Sequence, residues 1–589
     1  MSLNSKYLGN KFLARSGNLT EVSDRKTAMK TRTYNVREIQ KRTQPRVWAW
    51  LINSCHIVVT VTCVLGIGTA GLTQQRGVKD DVELQVGIVQ RFGEDLQDRI
   101  TLEATEGDRL TLRFLAGNMK PTTLAVEKIQ LQIAMQPLPE PKLEERVVLS
   151  NHPNFETAED AANQWRSRGI QVEIAQPTNR WQVWARRDVY SNAVVRRLLL
   201  QTIQAQGMRT AYLDTKVIDR VPKVFWAVNG LGYNRQNVEI SAQTGLIRVN
   251  AGKTPRSARL YYGSLKIQPN AYGNYTLVNQ VPLETYLRGV VPYEIGAGAP
   301  RAAVEAQAII ARTYALRNLR RFAIDNYELC ADVHCQVYFG LKGATANTDR
   351  AIATTRGLVL TYDNQLVDAL YSSTTGGITA SFSDVWNGPD RPYLQSVLDT
   401  TKNVWDLSRY SLADEQNVRR FIGLKTGFNE ERESLFRWRY ESKLPDITQQ
   451  LQKYLASKKH PLANLQSIQK MEVTERAESG RILQMNVHTD RGVVELHKEE
   501  VRSAFKPPRS SFFYLEPLKN PNQELLGYAF VGAGFGHGVG LSQTGASQLA
   551  RLGWSSQQIL NFYYPGAKLE PLNESIIFWQ EPPNPAKSS

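Results

Sequence analysis

Glu294 is the residue best placed to do acid–base chemistry. It is the single acid in the Gly- and Ala-rich stretch 293–299. Pro292 closes the segment before that stretch and Pro300 opens the one after it. Apolar surroundings raise a carboxyl pKa, so a glutamic acid held between two buried elements can stay protonated near neutrality and act as a general acid. Three further groups have chemical potential. Cys330, His334 and Cys335 fall within one short stretch, a set that suits a disulfide or, with a fourth donor, a structural zinc ion. Tyr371, Ser372, Ser373, Gly376 and Gly377, followed by Trp386, offer hydroxyls, backbone amides and a flat aromatic face for a sugar. His537 lies among glycines at 534, 536, 538 and 540. Glycines so spaced admit close backbone approach to a ligand or a tight bend.

These residues need elements to hold them. From Pro300 the chain reads as a helix with alanine at 302, 303, 306, 308, 311 and 315. Small residues on nearly every face predict a helix packed closely by neighbours. Two other acids compete with Glu294. Glu284 falls near the start of a short helix or turn, where the dipole favours an acid. Glu305 follows Arg301 by four positions, the spacing of a surface pair. A cysteine-protease reading of Cys335 lacks any motif for its base. The glycine run around His537 lacks the spacing and βαβ setting of a dinucleotide fingerprint.

The pattern LE-x-YL-x-GVV-x-x-E, then P-x-x-A-x-x-AQA-x-x-ARTYAL, spans residues 283–316. It resembles the stage II sporulation protein D family, which includes a lytic transglycosylase of bacterial cell wall and the amidase enhancers. The Tyr-x-Ser-x-x-Gly-Gly block at 371–377 and the Gly-Phe-Gly-His block at 534–537 follow in family order. The resemblance implies that Glu294 is the catalytic acid. It implies substrate contacts among Gln336, Tyr338, Tyr371, Ser372, Ser373, Gly376, Gly377, Trp386, His537, Ser542 and Gln543; for His537 a partner behind those contacts and a buried structural histidine are the alternatives. Some relatives resemble the Cys330, His334, Cys335 set with a fourth zinc ligand, an upstream histidine. Here no histidine lies between His152 and His334, so Asp325, Asp332 or a water would have to serve, and a Cys330–Cys335 disulfide is the rival. No cofactor is required for the chemistry. One departure stands out: Ile295-Gly296 occupies the place where the family often has Met-Pro.

One acid limits the reaction. Glycoside hydrolases normally use two carboxylates, whereas a lytic transglycosylase needs one residue that first donates and then accepts a proton. The expected function is cleavage of peptidoglycan glycan strands with an anhydro product. The alternative is a non-catalytic activator of a cell wall amidase.

A chain of 589 residues predicts more than one domain. Its formal net charge is +16. Residues 1–46 hold eleven Lys/Arg against three Asp/Glu, so half of the excess sits in that tail. No nucleic-acid reader motif follows residue 76, which argues against a nucleic-acid partner. Residues 47–72 form a long apolar segment, and roughly 20 apolar residues span a bilayer. It reads as a membrane anchor or a signal segment, with the basic tail cytoplasmic and everything from residue 77 onward outside. Residues 77–140 alternate as strands and end in the Pro-rich PLPEPK, read as a linker. Residues 145–221 follow a β-α-β-β-α-β order, with Thr157-x-x-Asp160 as the first helix start. They resemble sporulation-related repeats that bind peptidoglycan, with a small α/β spacer as the alternative. Residues 223–575 are then the catalytic domain and 576–589 a disordered tail. The expected fold is α+β: a strand-rich catalytic domain built around a buried Ala-rich helix, preceded by a small βαββαβ-like domain and a transmembrane segment.

Overall fold

The computed structural model describes residues 34–35 and 81–580, except 118, 253–256 and 459. The apolar segment 47–72 lies outside the described residues, and no described helix is long and apolar enough to cross a membrane. The fold is mixed α+β and strand-rich.

Two sheets carry the core, and both join strands far apart in sequence. The seven-stranded sheet runs in the order Leu329–Cys330, Glu83–Phe92, Tyr275–Pro282, Ser264–Pro269, Val238–Ala242, Leu110–Leu115, Pro121–Val126. Leu84 faces Val281 across it and Leu112 faces Ile240. The strands of 83–126 therefore interleave with those of 238–282. The expected boundary at residue 223 does not divide the fold, and the region 77–140 is not separate from the catalytic domain. Alternation along a strand shows which face is buried but carries no label for its partner.

The second sheet centres on one strand, Lys128–His152, paired with Tyr212–Val228. The PLPEPK stretch lies inside this strand. It forms an irregularity where pairing jumps from Pro137↔Arg220 to Lys142↔Ile218. Proline has no N–H to give a ladder, so its place in a strand is an edge or a bulge. The linker reading is corrected accordingly: the chain continues through as strand.

Between the two long strands lies an inserted α/β unit. Helix Phe155–Ser167 is followed by strands Val172–Ala175 and Trp181–Ala185 and helix Ala193–Ala205. The first helix begins two residues before Thr157, because the Asn154 side chain accepts the Thr157 N–H at 3.0 Å and caps it. The unit is docked. Arg320 grips Glu159 at 2.6 and 2.8 Å, Arg321 bonds Glu156, and Trp181 packs between Phe155, edge-on, and Phe322, tilted, with both centroids at 5.1 Å.

The helix opened by Pro300 spans Arg301–Arg317. Its alanines 303, 306, 308, 311 and 315 are all fully buried. The absence of bulk lets helices Ala346–Thr354, Gln543–Arg551 and Ser556–Tyr563 and strand Leu358–Tyr362 pack close against it. Glu284 does more than complement a dipole. It receives a bidentate bond from the fully buried Arg312 at 2.7 and 2.8 Å. Glu305 pairs with Arg301 at 2.8 Å as its spacing predicts.

A further lobe covers this core. Its two three-stranded sheets are antiparallel: Arg437–Lys443, Leu525–Ala533, Phe513–Lys519, and Ile468–Arg476, Ile482–Thr489, Gly492–His497. At the C-terminal end Phe578 is fully buried in strand Ile577–Trp579, so ordered structure runs past the expected start of a tail at 576; residues 581–589 lie outside the described residues. Tyr34–Asn35 pairs antiparallel with that strand.

Candidate functional site

Glu294 sits on a single widened helical turn, Pro292–Gly296, between helix Leu283–Arg288 and the Ala-rich helix. Gly296 leaves that turn at φ 86°. Proline, with φ fixed near about −65°, could not take that conformation, so the Ile295-Gly296 departure changes the backbone path after the acid.

The carboxyl is half-buried. Its Oε1 accepts the Val337 N–H at 2.8 Å, and the Tyr371 and Gln543 side chains also hydrogen-bond it. Burial raises its pKa. The three hydrogen bonds favour the ionised form and offset part of that rise, which nevertheless prevails. A second layer fixes the donors. Gln336 is fully buried, donates to the Tyr371 hydroxyl at 3.3 Å and accepts from Tyr286 at 3.2 Å. Gln543 donates to Gln307 at 3.4 Å.

His537 stands on the far side of Tyr371. Its Nδ1 accepts the Val539 N–H at 3.0 Å, and it hydrogen-bonds the Tyr371 backbone. Burial drives its pKa down to about 3, with Arg502 and Arg481 adding to the fall. The ring is therefore neutral across the physiological range. It is partly exposed and can touch a ligand without carrying charge.

Other expected contacts lie elsewhere. Tyr338 is fully buried and donates to Asn279 at 2.8 Å. Trp386 is 5% exposed, wedged between Phe382 and His537, so its face is not open to a sugar. Gly376 and Gly377 are buried at φ 80° and 93°. A side chain on Gly376 would strike the backbone of Ala533, and one on Gly377 the ring of Phe428. Ser542 caps helix Gln543–Arg551 by accepting the Gly545 N–H at 3.0 Å. Ser372 is buried beside it, across a parallel pairing of Tyr371–Ser372 with Leu541–Ser542. Ser373 is half-buried and its carbonyl takes the Thr544 N–H at 3.1 Å. Around Glu294, then, the structure gathers Tyr371, Gln543, Gln336 and, one step out, His537.

Residues missed in the sequence complete the frame. The fully buried Glu430 accepts the Thr375 and Gly377 N–H groups at 2.6 and 2.8 Å and the Ser542 hydroxyl. Buried Arg481 donates to the carbonyls of Thr375 and Ile378 at 2.7 and 2.8 Å. No sequence signal marks either residue, since both come from charged segments that resemble solvated surface.

Cys330 and Cys335 form a disulfide with Cα atoms 5.6 Å apart. This corrects the zinc set of Cys330, His334 and Cys335, because the two sulfurs bond each other and no longer offer thiolates. Among the described residues no group of three or more His, Cys, Asp or Glu could hold a metal. The bridged loop leads directly to Val337, whose N–H holds Glu294.

A family model described as stage II sporulation protein matches residues 271–362, which contain Glu294. A domain of unknown function matches 380–540, the covering lobe. The chain is 26% identical to the amidase enhancer of Bacillus subtilis over 61% of its own length and 53% of that protein's. It thus spans about half of that relative. It is 25% identical to the stage II sporulation protein D of B. subtilis (52% of this chain, 80% of the relative) and 24% identical to that of Bacillus amyloliquefaciens (59% and 89%).

Proposed function

We propose, from its similarity to the stage II sporulation protein model over residues 271–362 and to the amidase enhancer and stage II sporulation protein D, that this chain is a murein lytic transglycosylase with Glu294 as its acid and base. The observation that carries this reading is a half-buried carboxyl with a raised pKa, held at one oxygen by a backbone amide and flanked by Tyr371 and Gln543. Protonated Glu294 gives its proton to the glycosidic oxygen between N-acetylmuramic acid and N-acetylglucosamine. The hydrogen bonds from Val337, Tyr371 and Gln543 then stabilise the carboxylate that forms. That carboxylate takes the proton of the muramic acid's own primary hydroxyl, which closes on the anomeric carbon and leaves an anhydro end. No second carboxylate and no water are needed. The buried acids Asp399 and Glu430 are both at 0% exposure and cannot meet a glycan.

The disulfide supports a location outside the cytoplasm, where its substrate lies. We also assign peptidoglycan binding to the inserted 145–221 unit. Its docking on the loop after the Ala-rich helix would set glycan at a fixed distance from Glu294.

The test is Glu294→Gln, assayed on denuded glycan strands for anhydro products, with circular dichroism to check folding. Activity should vanish; undiminished turnover refutes the assignment. A second reading, activation of a cell wall amidase without glycan cleavage, is favoured by the altered backbone after Glu294 and by the amidase enhancer relative. It prevails if wild-type protein yields no anhydro ends yet stimulates an amidase on intact sacculi.

A further inference from the structure

The two side chains that flank Glu294 come from opposite sides of a long excursion. Tyr371 precedes the covering lobe and Gln543 follows it. Their strands, Tyr371–Ser372 and Leu541–Ser542, meet in a parallel pair of only two residues each. Such a short ladder cannot fix register by itself. The lobe supplies the missing constraint. Glu430 lies within it, fully buried. Its Oε1 accepts from the Thr375 N–H at 2.6 Å, the Thr375 hydroxyl at 3.1 Å and the Ser542 hydroxyl, while its Oε2 accepts from the Gly377 N–H at 2.8 Å. One carboxylate thus ties the segment after Tyr371 to the residue immediately before Gln543.

Its surroundings keep it in place. Asp399 lies beside the same carboxyl and accepts from Asn429 and Tyr563, each at 2.8 Å. Burial, and then the charge of Glu430, raises the pKa of Asp399. The Glu430 carboxyl faces two guanidinium groups, that of buried Arg481 and that of half-buried Arg437. Arg437 donates to the Gly376 carbonyl at 2.9 Å and Arg481 to that of Thr375 at 2.7 Å. The loop 375–377 is thereby held through its N–H groups by Glu430 and through its carbonyls by the two arginines.

We propose that Glu430, contributed by the covering lobe, is a positioning residue that aligns Tyr371 and Gln543 on Glu294. The inference rests on the reading of Glu294 as the acid. It gives the lobe a part in the chemistry beyond covering it. Glutamine at 430 keeps the shape but must turn its NH2 toward the donor at Gly377 or toward those at Thr375 and Ser542, so one side of the clamp opens.

The test compares wild type with Glu430→Gln by two readouts. The first is turnover on denuded glycan strands. A displacement of about 1 Å costs roughly 100-fold in rate, so kcat should fall by about ten- to a hundred-fold with KM little changed. The second needs no activity: carbodiimide labelling of Glu294 across a pH series, read by peptide mass spectrometry. Loss of the Tyr371 and Gln543 hydrogen bonds should move the labelling midpoint of Glu294 upward, a change that mere loss of stability would not produce. A folded Glu430→Gln protein with the wild-type midpoint overturns the proposal. Should that variant fail to fold, Ser542→Ala cuts the Gln543 side of the clamp, together with the Ser542 cap on that helix. It should shift the midpoint the same way by less, and an unmoved midpoint there overturns the proposal too. If wild type makes no anhydro product, the catalytic reading fails, while the labelling shift still decides whether Glu430 aligns the site.

Discussion

Arg312→Met is the most demanding perturbation of the scaffold that carries Glu294. Arg312 is fully buried in the Ala-rich helix. It gives Glu284 two charge-assisted bonds at 2.7 and 2.8 Å and the Leu358 carbonyl one at 3.0 Å. Methionine fills much of the volume and supplies none of these, so Glu284 is left buried with its charge unanswered. Breaking a buried pair from one side costs about 3–5 kcal/mol. At roughly 2–4 °C per kcal/mol in a region of such size, the first calorimetric transition should fall by at least about 6 °C. The double variant Arg312→Met with Glu284→Met removes both charges, and should recover much of the loss because an apolar replacement of the whole pair is often neutral. The single-variant loss should also depend on pH. Asp81 is close to Glu284, and burial and then that neighbour's charge raise its pKa. The charge of Arg312 lowers it, so without Arg312 the folded-state pKa of Asp81 would rise further. Its protonated form is then the stable one, so the damage should shrink as pH falls and grow as pH rises through that value. A single variant that costs less than about 1 kcal/mol, or a double variant worse than the single, refutes the view that this pair holds the helix.

The disulfide closes a short loop, for which chain entropy gives about 2 kcal/mol. Cys330→Ser should lower the transition temperature and loosen the Val337 N–H on Glu294; four free thiols in denatured wild type, where the disulfide leaves only Cys55 and Cys63 free, with unchanged stability in the variant would contradict this. Glycan cleavage should decline as pH rises through the raised pKa of Glu294, because the acid must begin protonated. Tyr371→Phe removes a hydrogen bond that favours the ionised form and should move that alkaline decline upward, and a pH–rate profile with an unchanged limb would count against it.

The acid and its helix were legible because their signal is local. An isolated carboxylate between two prolines and a run of alanines can be read along the chain, and the structure places Glu294 at the mouth of that same packed helix. The frame of the site was not legible, because its signal is long-range. Glu430 reaches residues 55, 53 and 112 positions away, and nothing in a stretch such as Asn429-Glu430-Glu431 separates the buried Glu430 from the exposed Glu431. The glycine pair at 376–377 was assigned to the ligand for its free amides, yet Gly377 spends its amide on Glu430 and both residues spend their missing side chains on Ala533 and Phe428. Trp386 misled for a related reason: an aromatic near a polar block suits a sugar, but this one is consumed as a backing for His537.

The interleaved sheets change what the inserted α/β unit can do. A module joined by a flexible linker raises local substrate concentration without fixing geometry. Here strand Lys128–His152 enters the unit and Tyr212–Val228 leaves it as partners in one sheet, with an irregularity where a linker was expected. Helix Phe155–Ser167 is then locked to Arg320 and Arg321. These two arginines follow the Ala-rich helix by a few residues, and Arg321 also donates to the His334 carbonyl at 2.9 Å within the disulfide loop. That loop supplies the Val337 amide to Glu294. A continuous set of bonds therefore joins the unit's first helix to the acid: Glu156, Arg321, His334, the bridged cysteines, Val337, Glu294. On the proposed reading, a glycan strand held by the unit would bear on that set, and binding there would be felt at Glu294.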